Sequence, residues 1–532
     1  MKKDLFKTHL LSFAVFCGLA LAFASCANED VAQRTTDTET ENDNNLTTFV
    51  AGDGPTTRTS MDYNTGNFYW EAGDKIYVKD DDNIWRKSTN APTGKTASFK
   101  FKVPGKFNNS TTYKVYYPGK NGNNDQVTIP ASQTQTTPNS TEHFGVSGDC
   151  GTATATKVTG KNQFEFKLDH QAAYLVFQPY TSNTILKDCY LTKIEVTSDN
   201  DITHTYTLNP TTGELTGTGS GKQITLTTKD PKPGSANEEG FPLNTTSASV
   251  TANGAYMVIK PGTHTLKVRY WIKDVATQVE GAITKTLSSF NYAKNTYYDM
   301  TASLDVKNYD GDHYYMWDAQ NQYWYGYEWT KNLPAGVGQP TLESWLPGGT
   351  TSSNYPQSNT DSRWYNEGGG SGRFDATQSC ATLPNANEMS WYCMYGDPRW
   401  DADKLWTTMG HLYKGGMWFK KKSVLQAEHH YDTEKSANGT TDMRTTYKNY
   451  INSSINNSGL PSAADANKYF YLPALGYYGS GQLNLVGSNG QYWSSSASPL
   501  GSNYAYYLRF HSGNVDVGRN RRYGVFKVGG FE

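Results

Sequence analysis

The sequence is built from short apolar runs that end at turn-forming residues, and this pattern is clearest over the last sixty residues. Between residues 469 and 532, apolar and aromatic runs alternate with Gly, Ser and Asn; the runs are 469–472, 491–493, 504–510, 515–517 and 523–528. Runs this short, rich in aromatic residues and bounded by turn formers, are typical of β-strands. Strands of this kind bury their apolar side chains by stacking sheets, so the predicted fold is mainly β.

The same pattern extends over residues 49–305. Residues 164–168 and 266–270 alternate between apolar and polar side chains, which is the two-residue period of a half-buried strand. Gly-, Asn- and Pro-containing loops such as 121–125 and 231–234 separate these segments. Many short strands joined by turns predict β-sandwiches rather than a parallel sheet.

One segment predicts a helix. Residues 381–397 contain Pro384, which suits a first helical turn, and Asn385, which suits a helix cap. The segment stops at a Gly-Asp-Pro sequence, which ends helices. We therefore expect one substantial helix in a C-terminal region of α+β type.

The amino terminus has the features of an export signal. Lys2, Lys3 and Lys7 precede an apolar run at 10–24 that is too short to span a bilayer, and small residues lead to Cys26. These residues resemble the bacterial lipoprotein signal, which implies a signal peptide over 1–26 and diacylation of Cys26. The alternative is a secretory signal with an incidental cysteine.

The residues that follow Cys26 are polar. An acidic cluster at 28–30 resembles the Bacteroidetes signal that directs lipoproteins to the outer face of the outer membrane. Residues 27–48 contain little to bury, so the composition predicts a disordered tether. The expected location is therefore the outer-membrane surface.

Four cysteines remain after the signal and the lipid-bearing residue are set aside. They are Cys150, Cys189, Cys380 and Cys393, and four thiols on an exported chain allow three pairings. Pairing Cys150 with Cys189 and Cys380 with Cys393 would keep each disulfide within one predicted domain. Zinc is the alternative, but the sequence lacks a C-x₂-C or matching His spacing.

Charge and motifs exclude several classes of function. The chain has 48 basic and 50 acidic residues, which argues against a nucleic-acid binder held by phosphate contacts. It contains neither G-x-S-x-G nor H-E-x-x-H, and we predict no catalytic residue, no metal and no cofactor. Ten of the 13 Trp follow residue 306; they are either core residues or platforms for sugar faces.

Three segments in the first 306 residues resemble one family. They are TRTSMDYNTGNFYWEAGDKIYV (57–78), FEFKLDHQAAYLVFQ (164–178) and NTYYDMTASLDV (295–306). They resemble the fimbrillins, the subunits of lipoprotein-derived pili of Bacteroidetes. The resemblance implies two fimbrillin-like β-sandwiches, at residues 49–162 and 163–306.

The resemblance also implies an assembly mechanism. In this family a trypsin-like protease removes the first strand, and a strand from a neighbouring subunit fills the exposed groove. The candidate cleavage sites are Arg34 in the tether and Arg58 at the start of the first sandwich. Cleavage after Arg58 would free residues 46–50. The alternative is that Arg58 is a surface residue of an uncut strand.

The C-terminal region resembles a second family. The segments LPNANEMSWY (383–392), LPALGYYGSGQLNLVGSNGQYWSSS (472–496) and RRYGVFKVGG (521–530) resemble a C-type-lectin-like module of Bacteroidetes surface proteins. This implies an α+β lectin-like domain at 307–532. The sequence lacks the Glu-Pro-Asn and Trp-Asn-Asp triplets of the calcium-dependent sugar-binding lectins, so calcium-mediated binding is not implied.

Candidate ligand-binding residues lie in two places in this region, a long loop at 347–372 and the C-terminal turns. Both offer aromatic and hydrogen-bonding side chains: Trp364, Tyr365, Asn514, Asp516, Arg519 and Arg521. The alternative for the two arginines is that they only pair with local acids.

Together these features predict a surface adhesin. The C-terminal residues belong to a folded module, so the chain is expected to accept a strand without giving one, as a pilus tip subunit would. The expected partners are other fimbrillin subunits, a glycan or protein ligand, and membrane lipid through Cys26 before maturation. The alternative is a solitary outer-membrane lipoprotein that binds glycan for uptake.

Overall fold

The structure is a computed structural model of the 532-residue chain. It describes residues 7–9, 45–52, 60–63, 68–209, 212–309, 314–326, 355–368, 370–457, 459–479 and 482–532. The fold is mainly β, which confirms the prediction from sequence. In the described ranges, no helix has both the length and the apolar character needed to cross a membrane.

The chain forms two compact units. Unit 1 comprises Met1–Ser182, Leu191–Trp271 and Thr284–Leu304. Unit 2 comprises Asn183–Tyr190, Ile272–Ile283 and Asp305–Glu532.

The strands up to residue 303 are β1 (Lys7–His9), β2 (Leu46–Ala51), β3 (Ser60–Met61), β4 (Phe68–Tyr69), β5 (Tyr77–Lys79), β6 (Trp85–Lys87), β7 (Phe99–Pro104), β8 (Thr112–Tyr117), β9 (Gln126–Ile129), β10 (Ser132–Thr134), β11 (Gly151–Lys157), β12 (Gln163–Phe166), β13 (Asp169–His170), β14 (Ala173–Tyr180), β15 (Cys189–Ser198), β16 (His204–Leu208), β17 (Leu215–Thr216), β18 (Gln223–Thr227), β19 (Phe241–Pro242), β20 (Ala255–Ile259), β21 (Gly262–His264), β22 (Leu266–Asp274), β23 (Glu280–Thr286), β24 (Phe290–Tyr292) and β25 (Thr296–Ser303). A single-turn helix, α1 (Val250–Asn253), precedes β20.

The largest sheet of unit 1 has the order β6-β5-β8-β11-β12-β2-β7, with β13 beside β11. Its strands alternate between buried and exposed side chains, and the buried set forms one apolar core that includes Trp70, Phe101, Val115 and Phe164. This is the two-residue period that the sequence predicts for half-buried strands.

The other main sheets of unit 1 have the orders β1-β25-β14-β20 and β10-β18-β15-β22-β23. Strand β14 is buried along almost its whole length because it lies between β25, with which it is parallel, and β20, with which it is antiparallel. Smaller sheets pair β17-β16-β9, β21-β24 and β3-β4.

The predicted boundary after residue 162 does not separate sheets. Strand β12 follows this position, yet it pairs with β11 and β2 and buries Phe164 and Phe166 in the core of the largest sheet. Strands β9 and β10 precede the position, yet they pair with β16 and β18. The two predicted sandwiches therefore exchange strands within unit 1.

The later strands are β26 (Tyr314–Met316), β27 (Arg399–Thr408), β28 (His411–Lys420), β29 (Tyr450–Asn452), β30 (Tyr469–Pro473), β31 (Tyr477–Gly479), β32 (Gln482–Asn484), β33 (Gly490–Ala497), β34 (Tyr504–His511), β35 (Asn514–Arg521) and β36 (Val525–Lys527). They form a sheet of order β29-β35-β34-β33-β36-β31-β32, with β26 beside β36, and a second sheet of order β27-β28-β30. The five C-terminal runs of the sequence thus fall on β30, β33, β34, β35 and β36, as predicted.

The helices of this region are α2 (Ala386–Tyr395) and α3 (Lys422–Ala427). The side chain of Asn385 accepts a hydrogen bond from the Glu388 amide at 3.0 Å, and Glu388 accepts one from the Asn385 amide at 2.8 Å. This reciprocal capping box satisfies two amides that a helix end leaves free, and it confirms Asn385 as the cap. Pro384 precedes the cap, so the expectation that it lies in the first turn is wrong.

The predicted disulfides are wrong, because all four cysteines are free and buried. Cys380 accepts a hydrogen bond from the Asp318 amide at 3.2 Å, whereas Cys393 on α2 donates to the Val515 carbonyl at 3.4 Å. Cys150 packs in a separate apolar cluster with Tyr116 and Val127. Each thiol therefore serves as a small buried apolar group.

A buried ion pair next to α2 predicts how stability depends on pH. Burial raises the pKa of the Asp442 carboxyl, but hydrogen bonds from Arg444 and Asn387 outweigh burial and lower the pKa to about 2. Because the folded-state pKa lies below the ordinary value, the stabilisation is present above about pH 4 and is lost as the pH falls toward 2.

We expect Asp442→Asn to lower the unfolding free energy at pH 7 by roughly 1 to 2 kcal/mol. The variant should also lose less unfolding free energy than the unaltered chain as the pH falls from 4 to 2. Denaturant unfolding at several pH values measures this. Asp375→Asn, which changes an exposed partner of Arg373, is the control. If the unfolding free energies of Asp442→Asn and the unaltered chain depended on pH in the same way, the Asp442 carboxylate would not be the source of this stabilisation.

Candidate functional site

Strand β2, the next described strand after β1, lies in the interior of the largest sheet of unit 1. It pairs antiparallel with β7 from Leu46 opposite Pro104 to Ala51 opposite Phe99. On its other side it pairs parallel with β12, from Thr48 beside Gln163 onward. Both backbone edges of β2 are therefore hydrogen-bonded, and its removal would leave two unpaired edges facing each other.

The inward side chains of β2 fill the core of the largest sheet. Thr47, Phe49 and Ala51 are buried, and the residues between them are half-buried. The Phe49 ring stacks on Phe164 and meets Phe107 edge-on, with both centroids 5.1 Å away. The space that β2 occupies is therefore a groove with an apolar floor, which we call the β2 groove.

The chain is anchored again soon after β2, at a different place. The Met61 amide donates to Thr141 Oγ1 at 2.7 Å, and the Thr141 hydroxyl donates to the Met61 carbonyl at 2.8 Å. The Tyr63 hydroxyl donates to Asp299 at 2.9 Å, and burial together with this hydrogen bond raises the pKa of Tyr63 to about 12. Residues 60–63 are thus held independently of β2.

Three predicted site residues lie outside the described residues: Cys26, Arg34 and Arg58. In sequence, Arg58 lies between the end of β2 and the anchored segment that starts at Ser60. A cut at this position would therefore separate two segments that are held by different partners.

In unit 2, Trp364 and Tyr365 line a polar cleft of about 420 Å³, which we call the loop cleft. Its other lining residues include Gln320, Asp361 and Gln378. The Trp364 indole donates to Glu367 at 3.0 Å, which fixes the ring at the cleft wall.

The floor of the loop cleft is organised by the buried carboxylate of Asp318. It accepts hydrogen bonds from the Asn366 side chain at 2.7 Å and from the amides of Thr377, Gln378 and Cys380 at 2.8, 2.7 and 3.1 Å. The guanidinium of Arg522 stacks over Trp317 and donates to the carbonyls of Asn366 and Gly368. Burial lowers the pKa of Arg522 to about 10, so the group remains charged at neutral pH.

The other predicted ligand residues lie on β35 and do not line the loop cleft. Asp516 pairs with Arg509 of β34 at 2.8 Å, and burial raises the pKa of its carboxyl. Arg519 and Arg521 stack on rings: Arg519 lies 4.6 Å from the Tyr504 centroid and Arg521 lies 5.6 Å from that of Tyr523.

A second cleft of unit 2, which we call the strand cleft, is lined by residues that the sequence analysis missed. It measures about 420 Å³, and its lining residues include Gln491, Tyr507, Arg509, Asn520 and Tyr523. The signal that could have identified it is alternation along β34, because Tyr507 and Arg509 point away from the face that buries the residues on either side of them.

Neither a protein-family model nor a curated protein matches this chain. Among solved structures, a fimbrial protein from Bacteroides ovatus is 10% identical, with 90% of this chain and 98% of that chain covered and a TM-score of 0.23. A proposed cell adhesion protein from the same species is 15% identical, with coverage of 49% and 93% and a TM-score of 0.28. The fimbrial anchor protein Mfa2 from Porphyromonas gingivalis is 12% identical, with coverage of 45% and 82% and a TM-score of 0.21.

Proposed function

We propose that this chain is a cell-surface adhesin of the fimbrillin type that assembles by strand exchange. The observation that supports this most directly is the position of β2. It is held on both edges between β7 and β12, its inward side chains are apolar, and the candidate cleavage residue Arg58 follows it closely in sequence.

If β2 were removed, the β2 groove would bind another strand more favourably than it would stay empty. Loss of β2 would leave the backbone groups of β7 and β12 without partners and would expose Phe101 and Phe164 to water. Unpaired strand edges and exposed apolar area both favour capture of another strand. A donor with apolar residues at alternate positions, matching Thr47, Phe49 and Ala51, would restore the contacts.

We place the chain at the tip of the assembly. The C-terminal strand β36 already pairs with β26, β31 and β33, and Phe531 packs against Tyr392. This strand is therefore engaged within unit 2, which favours a subunit that accepts a strand without giving this one. Unit 2 would be the C-type-lectin-like module that binds a glycan or protein ligand, and Cys26 would hold the precursor to outer-membrane lipid.

The experiment that tests this is mass spectrometry of the mature protein taken from the cell surface. We expect an amino terminus at Thr59 without lipid, and we expect Arg58→Ala to retain residues 27–58 and to lose incorporation into fibres. Arg34→Ala is the matched control and should mature normally if Arg58 is the cleaved residue. An intact chain that carries lipid on Cys26 would instead support the solitary glycan-binding lipoprotein.

A further inference from the structure

The wall of the strand cleft includes a glutamine side chain. Gln491 on β33 is only 6% exposed, and its side-chain amide makes no hydrogen bond to any described residue. Gln491 lines the cleft, so its amide is open to a hydrogen-bonding group that arrives there from outside. The amide offers two donors and one acceptor to that group.

Next to Gln491 lies an ion pair that presents further hydrogen-bonding groups. Arg509 stands directly opposite Gln491 on the neighbouring strand, and Asp516 stands directly opposite Arg509. The Arg509 Nε donates to Asp516 at 2.8 Å, and its two terminal nitrogens donate to no described residue. The pair as a whole is electrically neutral, yet it leaves guanidinium N–H groups facing the cleft.

Aromatic rings provide the remaining walls of the strand cleft. Tyr477, Tyr507 and Phe526 line it, and Tyr507 and Phe526 are 5.1 Å apart between ring centroids. Tyr523 stands at the rim and is 46% exposed. Flat apolar rings beside amide and guanidinium groups suit a ligand that has one apolar C–H face and a hydroxylated edge.

We propose that the strand cleft binds a neutral sugar residue, with its hydroxyl edge on Gln491, Arg509 and Asn520 and its C–H face against the tyrosine rings. The proposal rests on the proposed adhesin function and assigns a ligand class to unit 2. A volume of about 420 Å³ accommodates one or two sugar rings.

A neutral sugar fits better than an acidic one. Among the described residues that line the cleft, Arg509 is the only charged one, and Asp516 already balances its charge. A carboxylated sugar would compete with Asp516 for the same guanidinium and would place its charge near a buried carboxylate. The hydroxyl groups of a neutral sugar meet neither penalty.

The test is saturation-transfer NMR and titration of the full chain with galactose, mannose, N-acetylglucosamine and lactose, beside glucuronic acid and N-acetylneuraminic acid. We expect at least one neutral sugar to bind with a dissociation constant on the order of 1 mM, which is the affinity expected for a ligand of this size. Gln491→Leu should weaken this binding at least about tenfold, because the sugar hydroxyl that binds the Gln491 amide would lose its hydrogen-bond partner.

Two further variants separate binding from folding and one cleft from the other. Tyr523→Ala removes an exposed rim ring that also stacks with the exposed Arg521, so it should weaken sugar binding while changing the unfolding temperature little. Gln320→Leu, which alters the loop cleft, should bind like the unaltered chain. Absence of binding to every neutral sugar, binding of the acidic sugars alone, or loss of binding in Gln320→Leu alone would overturn the proposal. None of these outcomes bears on cleavage at Arg58, so the two proposals fail independently.

Discussion

A disulfide that ties β2 to β7 should abolish assembly of the protein into fibres. Val50 lies directly opposite Lys100, and both side chains point away from the core. Directly opposed residues of antiparallel strands have Cβ atoms about 4.5 to 5.5 Å apart, close to what a disulfide requires. In the Val50→Cys/Lys100→Cys variant, cleavage after Arg58 would leave β2 covalently attached, so the groove would stay filled.

The measurement is the ladder of high-mass species on denaturing gels of cell-surface protein, with and without reductant. We expect no ladder under oxidising conditions and a ladder after reduction. The natural cysteines are buried, so they should not interfere with the engineered pair.

The matched control places a disulfide in the same sheet without touching β2. Lys114 of β8 lies directly opposite Thr154 of β11, and both side chains are exposed. The Lys114→Cys/Thr154→Cys variant should assemble like the unaltered chain. A full ladder from the oxidised Val50→Cys/Lys100→Cys variant would show that β2 does not leave the sheet, and strand exchange at this groove would then be wrong.

Local elements could be predicted from the sequence because they depend on local residues. The C-terminal strands follow from apolar runs between turn formers, and helix α2 follows from Asn385 and Glu388, whose side chains cap its first turn. In each case the residues that determine the element are adjacent in the chain.

Sheet partners could not be predicted in the same way. Strand β12 pairs in parallel with β2, although more than 100 residues separate them, and β10 pairs in parallel with β18. Parallel pairing brings together segments that are distant in sequence, and local patterning does not specify which distant segment is the neighbour. For this reason the sequence did not reveal the strand pairings that cross the predicted boundary at residue 162.

The cysteines and the ligand residues show a second limit of the sequence. The predicted export of the chain suggested disulfides, but the structure buries all four thiols unpaired, with Cys380 and Cys150 in separate apolar clusters. Residues were chosen as ligand contacts by type, yet Arg519 stacks on Tyr504 and Asp516 pairs with Arg509. Which face of a strand meets water depends on the neighbouring layers, so a polar residue type alone does not identify a binding surface.

Replacing Asp318 should destabilise unit 2 more than any other single polar substitution that we propose. Asp318→Ala removes the acceptor for four hydrogen bonds, three of them from the backbone amides of Thr377, Gln378 and Cys380. Each buried donor left without a partner costs about 1 to 3 kcal/mol, so we expect a loss of about 4 kcal/mol or more. Denaturant unfolding followed by Trp fluorescence measures this, because Trp317 adjoins Asp318 and stacks with Arg522.

Asp318→Asn distinguishes the hydrogen bonds from the backbone conformation. Asp318 has a φ of 50°, and Asn adopts this left-handed conformation as readily as Asp does. One amide oxygen can still serve the Gln378 and Cys380 amides, but the new NH₂ group faces the donors of Asn366 and Thr377. We therefore expect Asp318→Asn to cost less than Asp318→Ala, while Asp375→Asn, which alters an exposed carboxylate nearby, should change stability by no more than about 0.5 kcal/mol. If Asp318→Ala cost no more than Asp375→Asn, the loop would be held by the stacking of Arg522 on Trp317 and not by the Asp318 carboxylate.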